Sequence, residues 1–174
     1  MPTQILQDGD LRLRPARVPD DVDTAWPWYQ NVDTLALSEG PGTGPMSRRR
    51  VEGMYRYLAE HGEFYMIEIR GGGGGEGAHE ESWRPIGDVM LAPHTLPIAI
   101  GDPSCRRHGL GGRVRALLIA RAREWGWPEL RAKPIGVHNL ASRRLFQAAG
   151  FVMDSTDVDE AGWAFERYRL DLRP

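Results

Sequence analysis

The chain has 174 residues, 41% of them hydrophobic and 26% charged, with a formal net charge of −2. That length is most simply one domain, residues 1–174, able to bury roughly two-thirds of its unfolded surface, and a single cysteine with no internal disulfide partner fits a reducing cytoplasm. The charge balance gives no electrostatic basis for nucleic-acid binding, no apolar run approaches the ~20 residues of a membrane-spanning helix, and the first residues lack the apolar core of a secretion signal.

Taken in order, Leu11 to Arg14 alternates apolar and charged residues and predicts a first strand, limited by Pro15. Pro19 to Asp23 predicts a helix start, with proline early and carboxylates near the positive dipole end. Trp26, Trp28 and Tyr29 follow, interrupted by Pro27. After a Gly/Pro loop from Gly40 to Pro45, Ser47 caps a helix to about His61 with Val51, Met54, Tyr55 and Leu58 on one face. Phe64 to Ile69 reads as a strand, and Gly71 to Ser82 as a hairpin tip carrying no chemistry. Ile86 to Leu91 and Thr95 to Ile100 are two more strands. Val114, Leu117, Leu118, Ala122 and Trp125 mark the buried face of a helix that Pro128 terminates. Leu130 to Val137 is the next strand, and Asn139 caps a helix that ends at Gly150. Phe151 to Met153 and Trp163 to Leu172 close the chain as a strand pair. This order predicts a mixed α/β sheet.

The most informative stretch runs from Ile98 to Arg113, I-A-I-G-D-P-S-C-R-R-H-G-L-G-G-R. A short apolar strand ends in a loop rich in Arg and Gly that opens into a helix, whose first turn has unpartnered N–H groups and a positive dipole end. Such a place stabilises an anion. A dinucleotide fingerprint would need a third glycine where Val114 stands, and the chain contains no P-loop string. What remains is Arg106-x-x-Gly109-x-Gly111. Downstream, Asn139, Ser142, Phe146, Gly150 and Phe151 form a second string.

With both strings in this order and at this separation, the chain resembles the GNAT N-acetyltransferase superfamily. Its acyl-CoA pyrophosphate loop reads Gln/Arg-x-x-Gly-x-Gly/Ala, and its second motif places Asn, a small residue, an aromatic and Gly-Phe at these intervals. The resemblance implies a mixed, mostly antiparallel sheet of six to seven strands flanked by about four helices. It also implies an acyltransferase that moves an acetyl group from acetyl-CoA to a primary amine by direct attack, with no metal.

Carried onto this sequence, the resemblance gives the pyrophosphate to Arg106, Arg107, His108, Gly109, Leu110, Gly111, Gly112 and Arg113. Ile98, Ala99 and Ile100 would run along the pantetheine, and Asn139, Ser142, Arg144 and Phe146 would complete the cofactor cleft. Many enzymes of that superfamily have tyrosine at the place of Phe146, where the phenol returns a proton to the leaving sulfur. Here the thiolate, which ionises near ~8.5, would leave with water assisting, or another donor would serve.

The amine needs a base. Asp102 is the first candidate, at the end of the strand that meets the loop, in an Ile-Gly-Asp string similar to that of some aminoglycoside N-acetyltransferases; its second reading is a turn residue. Asp88 is the next candidate, its second reading an exposed strand residue. Trp26, Trp28 and Tyr29 are either core or a wall of the acceptor site, as the family uses that region. Asp154 and Asp157, with Asp159 and Glu160, would form an acidic loop beside a cationic acceptor, or only a solvated loop. Cys105 lacks the companions of a nucleophile, and His138 reads as a strand-end residue. An aminoglycoside-like polyamine, a protein N-terminus and a small amine all stay open as acceptor. A non-catalytic acyl-CoA-binding module is also compatible with these residues, and the assembly is either a monomer or a homodimer.

Overall fold

The computed structural model describes residues 4–71 and 82–174, so most of the expected tip from Gly71 to Ser82 lies outside the described residues. In chain order the elements are β1 (Leu6–Asp8), β2 (Leu11–Pro15), α1 (Val22–Ala25), a 3-10 turn (Trp26–Gln30), α2 (Val32–Glu39), α3 (Arg48–His61), β3 (Glu63–Arg70), β4 (Trp83–Leu91), β5 (Ile98–Ile100), a second 3-10 turn (Pro103–Cys105), α4 (Leu110–Glu124), β6 (Glu129–Arg131), β7 (Ile135–Gly136), α5 (Leu140–Gln147), β8 (Val152–Val158) and β9 (Ala164–Asp171). No described helix is long and apolar enough to cross a membrane.

The mixed α/β class holds, with the strands divided between two antiparallel sheets. The first runs β1-β2-β3-β4-β5; in the second, β6 and β7 pair with β9, and β8 lies on its other side. The stretch expected as one strand from Leu130 to Val137 is interrupted at Lys133 and Pro134, because proline lacks the N–H a ladder needs. The expected closing strand is longer than its apolar start suggests: β8 extends to Val158 and takes Asp154 and Asp157 out of the loop.

Alternation along β3 sends Tyr65 and Ile67 to one core and Phe64 and Met66 to another. The first core is completed by Val114, Leu118 and Ala122 of α4 and by Leu130, Phe146 and Tyr168 of the second sheet and its helix α5. The second is completed by Val22, Ala25, Val51 and Tyr55, which α1 and α3 lay across the opposite face. Thus the first sheet is sandwiched, and Asp88 shares its β4 face with Met90, beneath Tyr55. The β3–β4 ladder shifts register at Ile67/Glu68, leaving Ile86 as an extra residue just before Gly87 and Asp88.

The helix expected from Pro19 shrinks to α1, since Pro27 opens a 3-10 turn instead of continuing it. Ser47 caps α3 as expected, its hydroxyl accepting from the Arg50 N–H at 3.2 Å. Helix α2 has no counterpart among the elements expected from the sequence. Its signals are Asn31, whose side chain accepts from the Thr34 N–H at 2.9 Å, Asp33 in the first turn and Gly40 at the end.

Candidate active site

β5 is the last strand of its sheet, so one of its edges has no strand partner among the described residues. The space beyond it, bounded by α2 and α5, holds two contiguous cavities. One, of about 530 Å³, runs from Trp28 past Ile98, Ala99 and Ile100 to the loop Arg106–Gly112. The other, of about 400 Å³, opens between α3, the β4–β5 turn and Lys133–Ile135. Both are lined by Tyr29, Leu37, Asp88, Ile98, Ala99, Asn139 and Ser142, which therefore mark where the two meet.

At the far end of the first cavity, Gly109 caps α4 with φ +75° and ψ 0°, a left-handed conformation that glycine adopts without strain. Arg107 also has positive φ, +64°, which is costly for a residue with a Cβ and concentrates at functional loops. From Arg107 to Gly111 no backbone N–H has a hydrogen-bond partner among the described residues. Consecutive free donors at a helix N-terminus are what an anionic ligand requires.

Arg106 lines the same cavity, but its guanidinium is already tied into the protein. Nε donates to the Ile100 carbonyl at 3.0 Å, Nη1 to Thr34 Oγ1 at 3.2 Å and Nη2 to the Gly101 carbonyl at 3.4 Å. It braces the end of β5 against α2, so an anion placed at this loop would be met by the backbone more than by this side chain. Beside it the Trp28 indole lies on Gly101, where an added Cβ would fall 2.3 Å from the ring.

Asp88 sits at the junction of the cavities, 5% exposed. Tyr29 and Tyr55 both donate their hydroxyls to its Oδ2, each at 2.7 Å, and Oδ1 has no partner among the described residues. Burial pushes its pKa up to about 6, against the pull of the two hydroxyls and of Lys133, with the charge of Glu39 adding to the rise. Burial and the Asp88 charge in turn keep the Tyr29 phenol protonated far above its usual range. The carboxylate is fixed in orientation, half satisfied, and able to change protonation near neutral pH.

Asp102 is differently placed. Its carboxylate accepts from the Ser104 N–H at 2.9 Å and from the Ser104 hydroxyl at 2.7 Å, and it is ion-paired to Arg84. The serine hydroxyl and the Arg84 guanidinium hold its pKa at about 2, and it lines neither cavity. It is a turn-capping residue. Of the two carboxylates expected as base, only Asp88 faces the cleft.

The remaining expected residues are likewise sorted by the fold. Ile98, Ala99, Ile100, Arg107, Gly109, Leu110, Gly111 and Gly112 line the first cavity, Phe146 the second, and Asn139 and Ser142 both. Asn139 caps α5 through the Ser142 N–H at 3.1 Å and donates to the Leu37 carbonyl at 3.3 Å, joining α5 to α2. Phe146 packs edge-on to Phe151, with ring centroids 5.0 Å apart. By contrast, Arg113 turns to the β1–β2 hairpin and pairs with Asp8 at 2.7 Å and Asp10 at 2.8 Å, because one helical turn carries it away from the loop. His108 and Arg144 are exposed and line neither cavity.

Of the aromatic residues expected as a wall of the acceptor site, Tyr29 lines both cavities and Trp28 only the first, whereas Trp26 points out and donates its Nε1–H to the Met46 carbonyl at 2.9 Å. Asp154 is paired with Arg131 and Arg169, and Asp157 with Arg167, on the outer strand pair. Their charge is spent locally, and neither lines a cavity. Sequence reasoning missed Leu37, Ser38 and Glu39, which depend on α2, and Lys133, which pairs with Glu39 at 2.6 Å at the mouth of the second cavity. It read Tyr55 as core only, although its hydroxyl completes the Asp88 site.

No protein-family model matches the chain, and no curated protein does. Solved structures match nearly its full length. A GNAT-family acetyltransferase from Bacillus anthracis has 13% identity and a TM-score of 0.73, with 97% of this chain and 99% of that chain covered. Spermidine N-acetyltransferase from Vibrio cholerae, solved with CoA and spermine, has 14% identity and a TM-score of 0.73 over 95% of this chain and 97% of that one. An N-acetyltransferase from Staphylococcus aureus Mu50 has 18% identity and a TM-score of 0.64, covering 94% and 99%. The chain therefore has the GNAT acetyltransferase fold.

Proposed function

We propose that the protein is an acetyl-CoA-dependent N-acetyltransferase acting on a primary amine, with Asp88 as general base. The observation that carries the reading is the position of Asp88 where the two cavities meet. The first cavity would take the CoA arm, with pyrophosphate on the free N–H groups from Arg107 to Gly111 and pantetheine along β5 between Ile98–Ile100 and Asn139. The second would take the acceptor. That a neighbour of the same fold was solved with CoA supports the assignment of the cofactor.

In the reaction the amine nitrogen forms a bond to the thioester carbonyl carbon, the carbon–sulfur bond breaks, and CoA departs as thiolate. Near neutral pH a primary amine arrives as the ammonium and loses two protons in becoming the amide: one passes to Asp88 Oδ1 and the other to water. Because Oδ2 accepts from both tyrosines, the free oxygen is the one left to face the cleft. Phe146 has no proton to give, and a thiol with a pKa near ~8.5 can depart as its thiolate without a positioned acid.

Calorimetric titration with acetyl-CoA tests the reading, repeated on Gly109→Trp, which places a bulky side chain at a left-handed position over the loop. Binding that the variant loses, together with thiol release that depends on an added amine, is the expected result. Absence of acetyl-CoA binding would reject it.

A further inference from the structure

The acceptor cavity has a distinctive wall. Met90 and Leu96 are buried in it, Met54 and Leu58 of α3 are half-buried, and Leu37 and Tyr57 stand exposed at its mouth. Charged residues lining it, among the described residues, are Asp88, Glu39 and Lys133. Glu39 and Lys133 pair with each other at 2.6 Å, so the cavity holds one uncompensated charge, the Asp88 carboxylate at its inner end. The carboxylates expected to draw a polycation, Asp154 and Asp157, are ion-paired outside it.

Resting on the acetyltransferase reading, we infer that the acceptor is a compact primary monoamine with an apolar body, its nitrogen at Asp88 and its body against Met54, Leu58, Met90 and Leu96. A second or third ammonium on the same molecule would be brought against methionine and leucine side chains without a partner, and burying an unpaired charge is costly. An α-carboxylate beside the nitrogen would meet Asp88, a like charge. The apolar wall instead gains from each methylene it covers.

The test compares thiol release from acetyl-CoA with butylamine, pentylamine, hexylamine and phenethylamine against spermine and kanamycin. Expected is a kcat/KM that rises about fourfold per methylene along the alkylamines, with phenethylamine at least about tenfold above either polycation. Met54→Glu, which places a carboxylate in the apolar wall, should lower the phenethylamine-to-spermine ratio while leaving the acetyl-CoA Kd unchanged. Spermine or kanamycin equalling the monoamines, no turnover of the monoamines, or a ratio unmoved by Met54→Glu in a protein that binds acetyl-CoA overturns the inference alone. Failure to bind acetyl-CoA in calorimetry rejects the acetyltransferase reading beneath it.

Discussion

The Tyr29 hydroxyl donates to Asp88 Oδ2 at 2.7 Å, linking the 3-10 turn before α2 to the middle of β4. With Tyr55 donating to the same oxygen from α3, the carboxylate is gripped from two sides while its other oxygen has no partner among the described residues. The charged groups that bear on it are Glu39 and Lys133, of opposite sign and paired with each other.

Asp88 governs the pH dependence of the proposed reaction. Its pKa of about 6 means that kcat/KM should fall tenfold per unit below about pH 6 and level off above it. Asp88→Asn, which keeps an acceptor for both tyrosines, should lower kcat/KM by about a hundredfold to ten-thousandfold. A steady-state pH profile of the variant, in which the limb at about 6 disappears, checks both points.

The same group has an opposite effect on stability. The folded chain keeps the Asp88 proton up to about pH 6, whereas the ordinary value is 3.8, so the folded state binds more protons in between. The contribution of Asp88 is therefore fully present below the lower value and lost as pH rises to about 6, a change of roughly 3 kcal/mol. Urea unfolding from pH 4 to pH 7.5 should show Asp88→Asn gaining on the wild type across that window.

Asp102→Ala should leave kcat/KM within about threefold of the wild type, since its carboxylate is engaged by Arg84 and Ser104. Its cost should fall on stability, about 1 kcal/mol for the lost cap of the Pro103–Cys105 turn. A large loss of activity with unchanged acetyl-CoA binding would return Asp102 to the chemistry.

Gly101→Val should be far more damaging than its size suggests. The new Cβ would lie 2.3 Å from the Trp28 indole, so the ring or the end of β5, both in the wall of the first cavity, must shift. Overpacking of this kind costs about 1–3 kcal/mol, and a weaker acetyl-CoA Kd in calorimetry should accompany the drop in Tm.

Phe146→Tyr would supply the phenol that the resemblance to the GNAT superfamily leads one to expect at this place. Because a thiolate departs without a positioned acid, kcat should change by less than about tenfold. A measured rise of several hundredfold would mean that protonation of the sulfur limits the proposed reaction in the wild type.

Local chemistry made much of this protein legible before its fold was known. The caps at Ser47 and Asn139, the glycine at position 109 opening α4 and the alternation of β2 each act within a few residues, so they can be read from spacing alone. The two strings around Arg106–Gly111 and Asn139–Phe151 belong to that class and carried the fold resemblance. What only the tertiary structure decided was which side chains share a space. Asp102 and Asp88 both follow a glycine on or beside a short strand, yet one faces Arg84 and Ser104 while the other lies beneath two tyrosines from distant elements. Likewise Asp154 and Asp157 form an acidic run in sequence, but strand pairing brings them arginines that neutralise them. A carboxylate's proton affinity and its access to a ligand depend on burial and on partners far away along the chain, and those are properties of the packed chain rather than of its local order.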